Sequence, residues 1–208
     1  MPQQKVILFG TGAHFSVAVL NELLLQGLKP TALVLPWYAP STVKPDYRIA
    51  VDVTGDNNQF EVRAEHLSIP LIYLPENSQS HLIQEIINFD TDFILLACWP
   101  YLLSSQIIGA AGKAALNLHP SLLPKYRGAD PVSTQIDRQE KNLGVSLHLL
   151  SQEFDQGDII SQSRLEFKIE YPARNVIEAE AARVGSGLFV QAVNDFGSAA
   201  WNPRPQKQ

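Results

Sequence analysis

Two side chains two positions apart, Asn117 and His119, are the residues of this sequence best placed by type and spacing to do chemistry. They sit at the end of an apolar run over 114–118 and open the segment Asn117-Leu118-His119-Pro120-Ser121-Leu122-Leu123-Pro124. If that run is a strand, its two-residue alternation puts both side chains on the same side. An amide and an imidazole aimed at one point suit a carbonyl reaction, holding charge on the oxygen and moving a proton. Pro120 and Pro124 stiffen the exit from the strand and remove backbone donors from it. A second segment, Ser151-Gln152-Glu153-Phe154-Asp155-Gln156-Gly157-Asp158, carries three carboxylates. One of them beside His119 would raise the imidazole pKa and fix its orientation. Taken alone, an Asn-x-His pair at a strand end is more often structural than catalytic.

The surrounding pattern says what would hold these groups in place. Short apolar runs over 5–9, 31–35, 71–74, 93–97 and 114–118 read as strands, and the run Phe93-Ile94-Leu95-Leu96-Ala97 suits a sheet buried on both faces. Between them lie stretches of helical spacing, with Phe15, Val19, Leu20, Leu23 and Leu24 in the first. Others cover 59–67, 78–89 and, briefly, 104–110. This alternation predicts an α/β fold, doubly wound, with a mostly parallel sheet and helices on both faces. Strands over 145–150 and 159–167 then flank the acidic loop as an antiparallel or mixed edge, and 174–196 reads as a long closing helix. The stretch 37–58 is the longest without clear periodicity, a length at which loops tend to be functional or mobile.

Composition narrows the class. The chain has 208 residues, 45% hydrophobic and 18% charged, enough for one domain with a full core. Sixteen Lys and Arg against 21 Asp and Glu leave a formal charge of -5, which does not suit a general nucleic-acid binder. The single cysteine, Cys98, excludes an intramolecular disulfide and a Cys-rich zinc site. No run approaches the ~18 apolar residues of a membrane span, so a cytoplasmic protein is expected.

The segment from Asn117 to Pro124, followed by Tyr126-Arg127-Gly128, closely resembles the signature of the folate-dependent formyltransferases. Leu147-His148 and Phe154-Asp155-Gln156-Gly157-Asp158-Ile159 resemble that family's aspartate loop, and the likeness extends from Gly10 to Gln206. The resemblance implies a Rossmann-like fold and transfer of a formyl group from 10-formyltetrahydrofolate to a primary amine, with no metal. It implies catalytic roles for Asn117, His119 and Asp155: Asn117 and a protonated His119 on the tetrahedral oxyanion, Asp155 pairing with the imidazolium. It also implies a folate slot made by Trp99, Pro100, Tyr101, Leu102 and Leu103, by Ser121, Leu122, Leu123 and Pro124, and by Gln152, Glu153 and Phe154. An acceptor region is implied at Gly10, Thr11, Gly12, Phe15, Arg127 and Gly128.

Other signals are weaker. Gly10-Thr11-Gly12 hints at a dinucleotide site, but Phe15 stands where a third glycine is needed and no acidic residue ends the second strand. His119, His148 and Asp155 lack the spacing of a metal site, and His148 is expected to pack or hydrogen-bond locally. Val184-Gly185-Ser186-Gly187 is no hydrolase elbow. Gly10-Thr11-Gly12-Ala13-His14-Phe15 resembles the methionyl-tRNA-type and amino-sugar members of the family, and Arg127-Gly128-Ala129-Asp130-Pro131 the methionyl-tRNA-type members. The expected organisation is one catalytic domain over 1–200 and a linker-like tail over 201–208, without the C-terminal β-barrel of those members. That organisation and the acidity count against tRNA as a partner. An amino sugar, glycinamide ribonucleotide, water (a formyltetrahydrofolate hydrolase) or no reaction at all (a folate-binding relative) stay open.

Overall fold

The computed structural model describes residues 4–37, 58–75, 80–170 and 172–207. Apart from its two ends, the irregular stretch expected over 37–58 lies outside the described residues. Seven strands form one sheet: β1 (Val6–Gly10), β2 (Ala32–Trp37), β3 (Leu71–Pro75), β4 (Phe93–Ala97), β5 (Ala114–His119), β6 (Gly144–Leu149) and β7 (Ile159–Arg164). Their spatial order is β3-β2-β1-β4-β5-β6-β7. The first five are parallel, with Leu8 opposite Leu33 on one side and Leu95 on the other, while β6 and β7 run antiparallel. The chain winds outward in one direction from β1 to β3 and in the other from β4 onward. The crevice between the ends of β1 and β4 is where ligands bind in such sheets.

Every residue of β1 and β4 is buried, as their unbroken apolar sequences require of strands covered on both faces. Alternate residues feed two cores. Val6, Leu8, Leu33 and Leu95 pack with Phe15, Val19, Phe60 and Phe189 from helices α1 (His14–Leu25), α2 (Gln59–Leu67) and α6 (Arg174–Asp195). Ile7, Phe9, Val34 and Ile94 pack on the other face with Ile86 of α3 (Ser80–Asn88) and Ile107 of α4 (Ser105–Gly109). Each such side chain, removed from water, contributes about 1.5–3 kcal/mol to the gross hydrophobic term.

Three differences from the expected elements bear on the site. A short helix, α5 (Pro131–Asp137), stands between β5 and β6. Its start signal is local: the Asp130 carboxylate caps the Ser133 N–H at 3.2 Å and Pro131 occupies the first turn. The last strand ends at Arg164, three residues short of the expected 159–167. The tail is not linker-like, because Arg204 pairs with Ile159 through both backbone hydrogen bonds, at 2.8 and 2.9 Å.

Candidate active site

The end of β5 aims Asn117 and His119 into one cavity, as alternation along a strand requires. His119 is 4% exposed and the Asp155 side chain 9%. Asp155 arrives from the loop between β6 and β7. Its Oδ1 lies 3.2 Å from Asn117 Nδ2 and 3.4 Å from His119 Nδ1, while its Oδ2 accepts the Gly128 N–H at 2.9 Å. A third group joins them. His148 lies directly opposite Asn117 in the β5–β6 pairing, and its Nε2 is 3.0 Å from Asn117 Nδ2 and 3.6 Å from Asp155 Oδ1. Its local hydrogen bond is there as expected, Nδ1 to the Leu149 carbonyl at 2.8 Å, but the other face of the ring belongs to the cluster.

These partners assign the protons. His148 Nδ1 donates to the Leu149 carbonyl, and its Nε2 lies between Asn117 Nδ2 and Asp155 Oδ1. His119 Nε2 donates to the Tyr126 carbonyl at 2.8 Å, which leaves Nδ1 without a proton facing Asp155. Burial pushes the His119 imidazole below its ordinary pKa and outweighs the pull of Asp155 and the Tyr126 carbonyl. Lowered from 6.5, the imidazole favours its neutral form at pH 7. Burial works to raise the Asp155 carboxyl, but the two histidines and the Gly128 N–H prevail and hold it below the usual carboxylate range. The pair has one position for an added proton, between Nδ1 and Oδ1.

Three residues around the cluster hold left-handed backbone without being glycine: Cys98 (φ 60), Tyr126 (φ 59) and Asp155 (φ 55). Such conformations are uncommon and persist where surrounding contacts enforce them. Gly157 makes the aspartate loop possible, because a side chain there would collide with the Leu149 carbonyl.

Beside the cluster the cavity opens to about 340 Å³, within the range of small-molecule sites. Trp99, Pro100, Tyr101, Leu102 and Leu103 line it, as do Glu153 and Phe154. Trp99 is wedged edge-to-face between Phe9 and Tyr101, with centroids at 5.1 and 5.9 Å. Its indole N–H is buried with no partner among the described residues. Apolar walls of this kind fit a flat heterocycle such as a pterin ring. Gln152 is exposed and lines no part of this space.

Ser121, Leu122, Leu123 and Pro124 do not line this cavity. Their apolar side chains and backbone are taken up by the antiparallel edge. Leu122 fills the space where a side chain at Gly144 would stand, Ser146 Oγ donates to the Ser121 carbonyl and accepts the Leu123 N–H, and Gln162 donates to the Leu123 carbonyl. The turn thus fastens the segment that runs from His119 to Tyr126.

Of the acceptor-region residues, Phe15 and Gly128 line the cavity. Gly10, Thr11, Gly12 and Arg127 do not. Gly10 packs on Ser16 and Phe60, and Thr11 donates to Cys98 Sγ at 3.5 Å. Gly12 (φ 78) leaves room for the Asn58 side chain, which caps α2 at Phe60 N and donates to the Thr11 carbonyl. Arg127 reaches Gln206 instead. The wall on this side also contains residues that the sequence did not single out: Asp130, Arg174 and Glu178. Arg174 spans the two carboxylates, with Nε 2.7 Å from Glu178 and Nη1 3.0 Å from Asp130, and His14 Nδ1 is 3.0 Å from Glu178. Among the described residues no group of three or more His, Cys, Asp or Glu is disposed to hold a metal ion.

The family model described as formyl transferase matches residues 5–193. The chain belongs to the formyl transferase family. A methionyl-tRNA formyltransferase from Orientia tsutsugamushi is 31% identical over 207 residues, 97% of this chain and 62% of that enzyme. This chain therefore spans about three-fifths of the length of the curated relatives it matches. Two solved structures share the fold. Glycinamide ribonucleotide transformylase 1 from Symbiobacterium toebii superposes with a TM-score of 0.70 at 17% identity, covering 100% of this chain and 96% of that one. A formyltetrahydrofolate deformylase from Pseudomonas syringae pv. tomato gives 0.67 at 18% identity, covering 92% and 61%. No helix among the described residues is long and apolar enough to cross a membrane.

Proposed function

We propose that this formyl transferase moves the formyl group of 10-formyltetrahydrofolate to a primary amine of the methionyl-tRNA type. The observation that carries the reading is the meeting of Asn117 and His119, from the end of β5, with one carboxylate oxygen of Asp155, from the β6–β7 loop, at 3.2 and 3.4 Å beside an apolar slot. The folate supplies an activated formyl carbon whose leaving group is its own ring-side nitrogen. His119, neutral at rest, takes the proton that the attacking amine must lose. The positive charge it gains then lies against Asp155, which offsets it. As the new carbon–nitrogen bond forms and the bond to the folate nitrogen breaks, the same proton passes to that nitrogen. Asn117 Nδ2 turns the N–H it gives to Asp155 toward the charge growing on the formyl oxygen. Such donors typically contribute ~100–1000-fold in rate.

The acceptor class is supported by the 31% identical relative and by Arg127-Gly128-Ala129-Asp130-Pro131. The deciding assay mixes the chain with 10-formyltetrahydrofolate and, separately, methionyl-tRNA, amino sugars, glycinamide ribonucleotide or no amine. Formyl-methionyl-tRNA as the favoured product supports the reading in full. Transfer to another amine keeps the reaction and overturns the acceptor. Formate released at the same rate without any amine overturns transfer in favour of hydrolysis.

A further inference from the structure

The segment after α6 returns to the site that the rest of the fold builds. Trp201 packs edge-to-face on Phe196, with ring centroids at 4.9 Å, and turns the chain back. Arg204 then adds to the sheet edge by pairing with Ile159. Two residues on, the Gln206 side chain reaches the aspartate loop from behind. Its Nε2 donates to the Asp155 carbonyl and to the Gly157 carbonyl, each at 2.8 Å. Its Oε1 accepts from Arg127, with Nε at 3.2 Å and Nη2 at 2.5 Å. Every polar atom of the Gln206 amide is thereby used on the two loops that meet at the site.

The contacts close a ring. Asp155 is held at its backbone oxygen by Gln206, Gln206 by Arg127, and the residue after Arg127, Gly128, donates its N–H to Asp155 Oδ2. Asp155 sits at φ 55, a conformation that needs outside support. A glutamine is the side chain that can do this, since it presents two donors and an acceptor on one rigid plane. Glutamate would keep the Arg127 pairing and turn both carbonyl contacts repulsive.

We propose that Gln206 is a positioning residue, which holds the Asp155 carboxylate in register with His119 and Asn117 by clamping the aspartate loop to Arg127. The proposal rests on the catalytic reading of Asp155 given above. Gln206 touches no reacting atom. It acts through the loop.

The test compares the full chain with its Gln206→Ala, Gln206→Glu and Arg204→Ala variants, scored for kcat, donor KM, the pH profile of kcat and thermal midpoint. Displacement of a catalytic group by about an ångström costs ~100-fold. Both Gln206 variants are therefore expected to lose about 10- to 100-fold in kcat, with a shifted pH profile and little change in midpoint. Arg204→Ala, which leaves the backbone bridge intact, should match the parent. A Gln206→Glu variant with parental kcat overturns the proposal, because the Arg127 contact alone would then suffice. So does a loss in Gln206→Ala explained wholly by unfolding. If the parent chain itself transfers no formyl group, the catalytic reading has failed, and amide hydrogen exchange decides the positioning separately. Faster exchange at Gly128 N–H in Gln206→Ala supports it, and unchanged exchange overturns it.

Discussion

His119 Nδ1 and Asp155 Oδ1 face each other across 3.4 Å, and in their resting forms neither carries a proton toward the other. A lone pair and an anion at that distance gain from a shared proton, and the cavity wall is where one would arrive. Asp155→Asn keeps the size of the side chain and removes this trap for positive charge. The expected result is a fall in kcat of about 100- to 10,000-fold, the range of acid–base contributions, with an unchanged thermal midpoint. Steady-state rates beside a melting curve check it. A variant within a few-fold of the parent would remove Asp155 from the mechanism.

Stability should follow the same two groups as pH falls. His119 and Asp155 both have folded-state pKa values below their ordinary ones, 6.5 and 3.8. The unfolded chain therefore binds more protons than the folded one through these ranges, and stability rises with pH there. The His119 contribution is complete above about pH 6.5 and is lost as pH falls through its lower folded value. The Asp155 contribution is complete above about pH 3.8 and is lost below that. Replacing the ring with a side chain that does not titrate, as in His119→Asn, should flatten the midpoint between pH 7 and 5. A slope equal to that of the parent would mean that the acid sensitivity lies elsewhere.

What the sequence revealed of this site depended on how local the signal was. Asn117 and His119 could be read because alternation on a buried strand is a two-residue property. Asp155 needed the likeness of its loop to a known family, since nothing in the carboxylate run itself favours it over Glu153 or Asp158. His148 was hidden because it reaches the cluster through the register of an antiparallel pair, Asn117 opposite His148, which no spacing encodes. Arg174 and Glu178 read as an ordinary i,i+4 pair on a helix, and only the packing of α6 turns them to the cavity. Leu122 and Leu123 are placed by a contact that sequence does not show. Their apolar character is real, but the β6–β7 edge uses it.

Gly12 and Asn58 offer a separate check on the turn after β1. Gly12→Ala places a side chain at φ 78 and against Asn58, two faults in one change. The backbone strain alone is worth about 1–3 kcal/mol. Asn58→Ala removes the clash partner and a helix cap worth about 0.5–2 kcal/mol. Denaturant unfolding of both single variants and the double variant should give a cost for Gly12→Ala that is smaller once Asn58 is gone. Strict additivity would show that the side chain of Asn58 is not what excludes a methyl group there.

Trp99 should separate binding from chemistry. Its ring forms part of the slot wall, packed edge-to-face on Phe9 and Tyr101. Trp99→Phe keeps most of the apolar wall and removes the rest. An interaction made equally with the bound donor and with the transition state changes KM and leaves kcat alone. Loss of part of the apolar wall is worth about 0.5–1.5 kcal/mol at about 25 cal/mol per Å², so a KM for 10-formyltetrahydrofolate raised about 2- to 10-fold is expected at unchanged kcat. The indole should also report occupancy directly. Titration with 5-formyltetrahydrofolate should alter the tryptophan emission of the parent, and Trp99→Phe should lose that change although Trp37 and Trp201 remain. A variant with parental KM, or one that keeps the full emission change, would put the heterocycle elsewhere than against this wall.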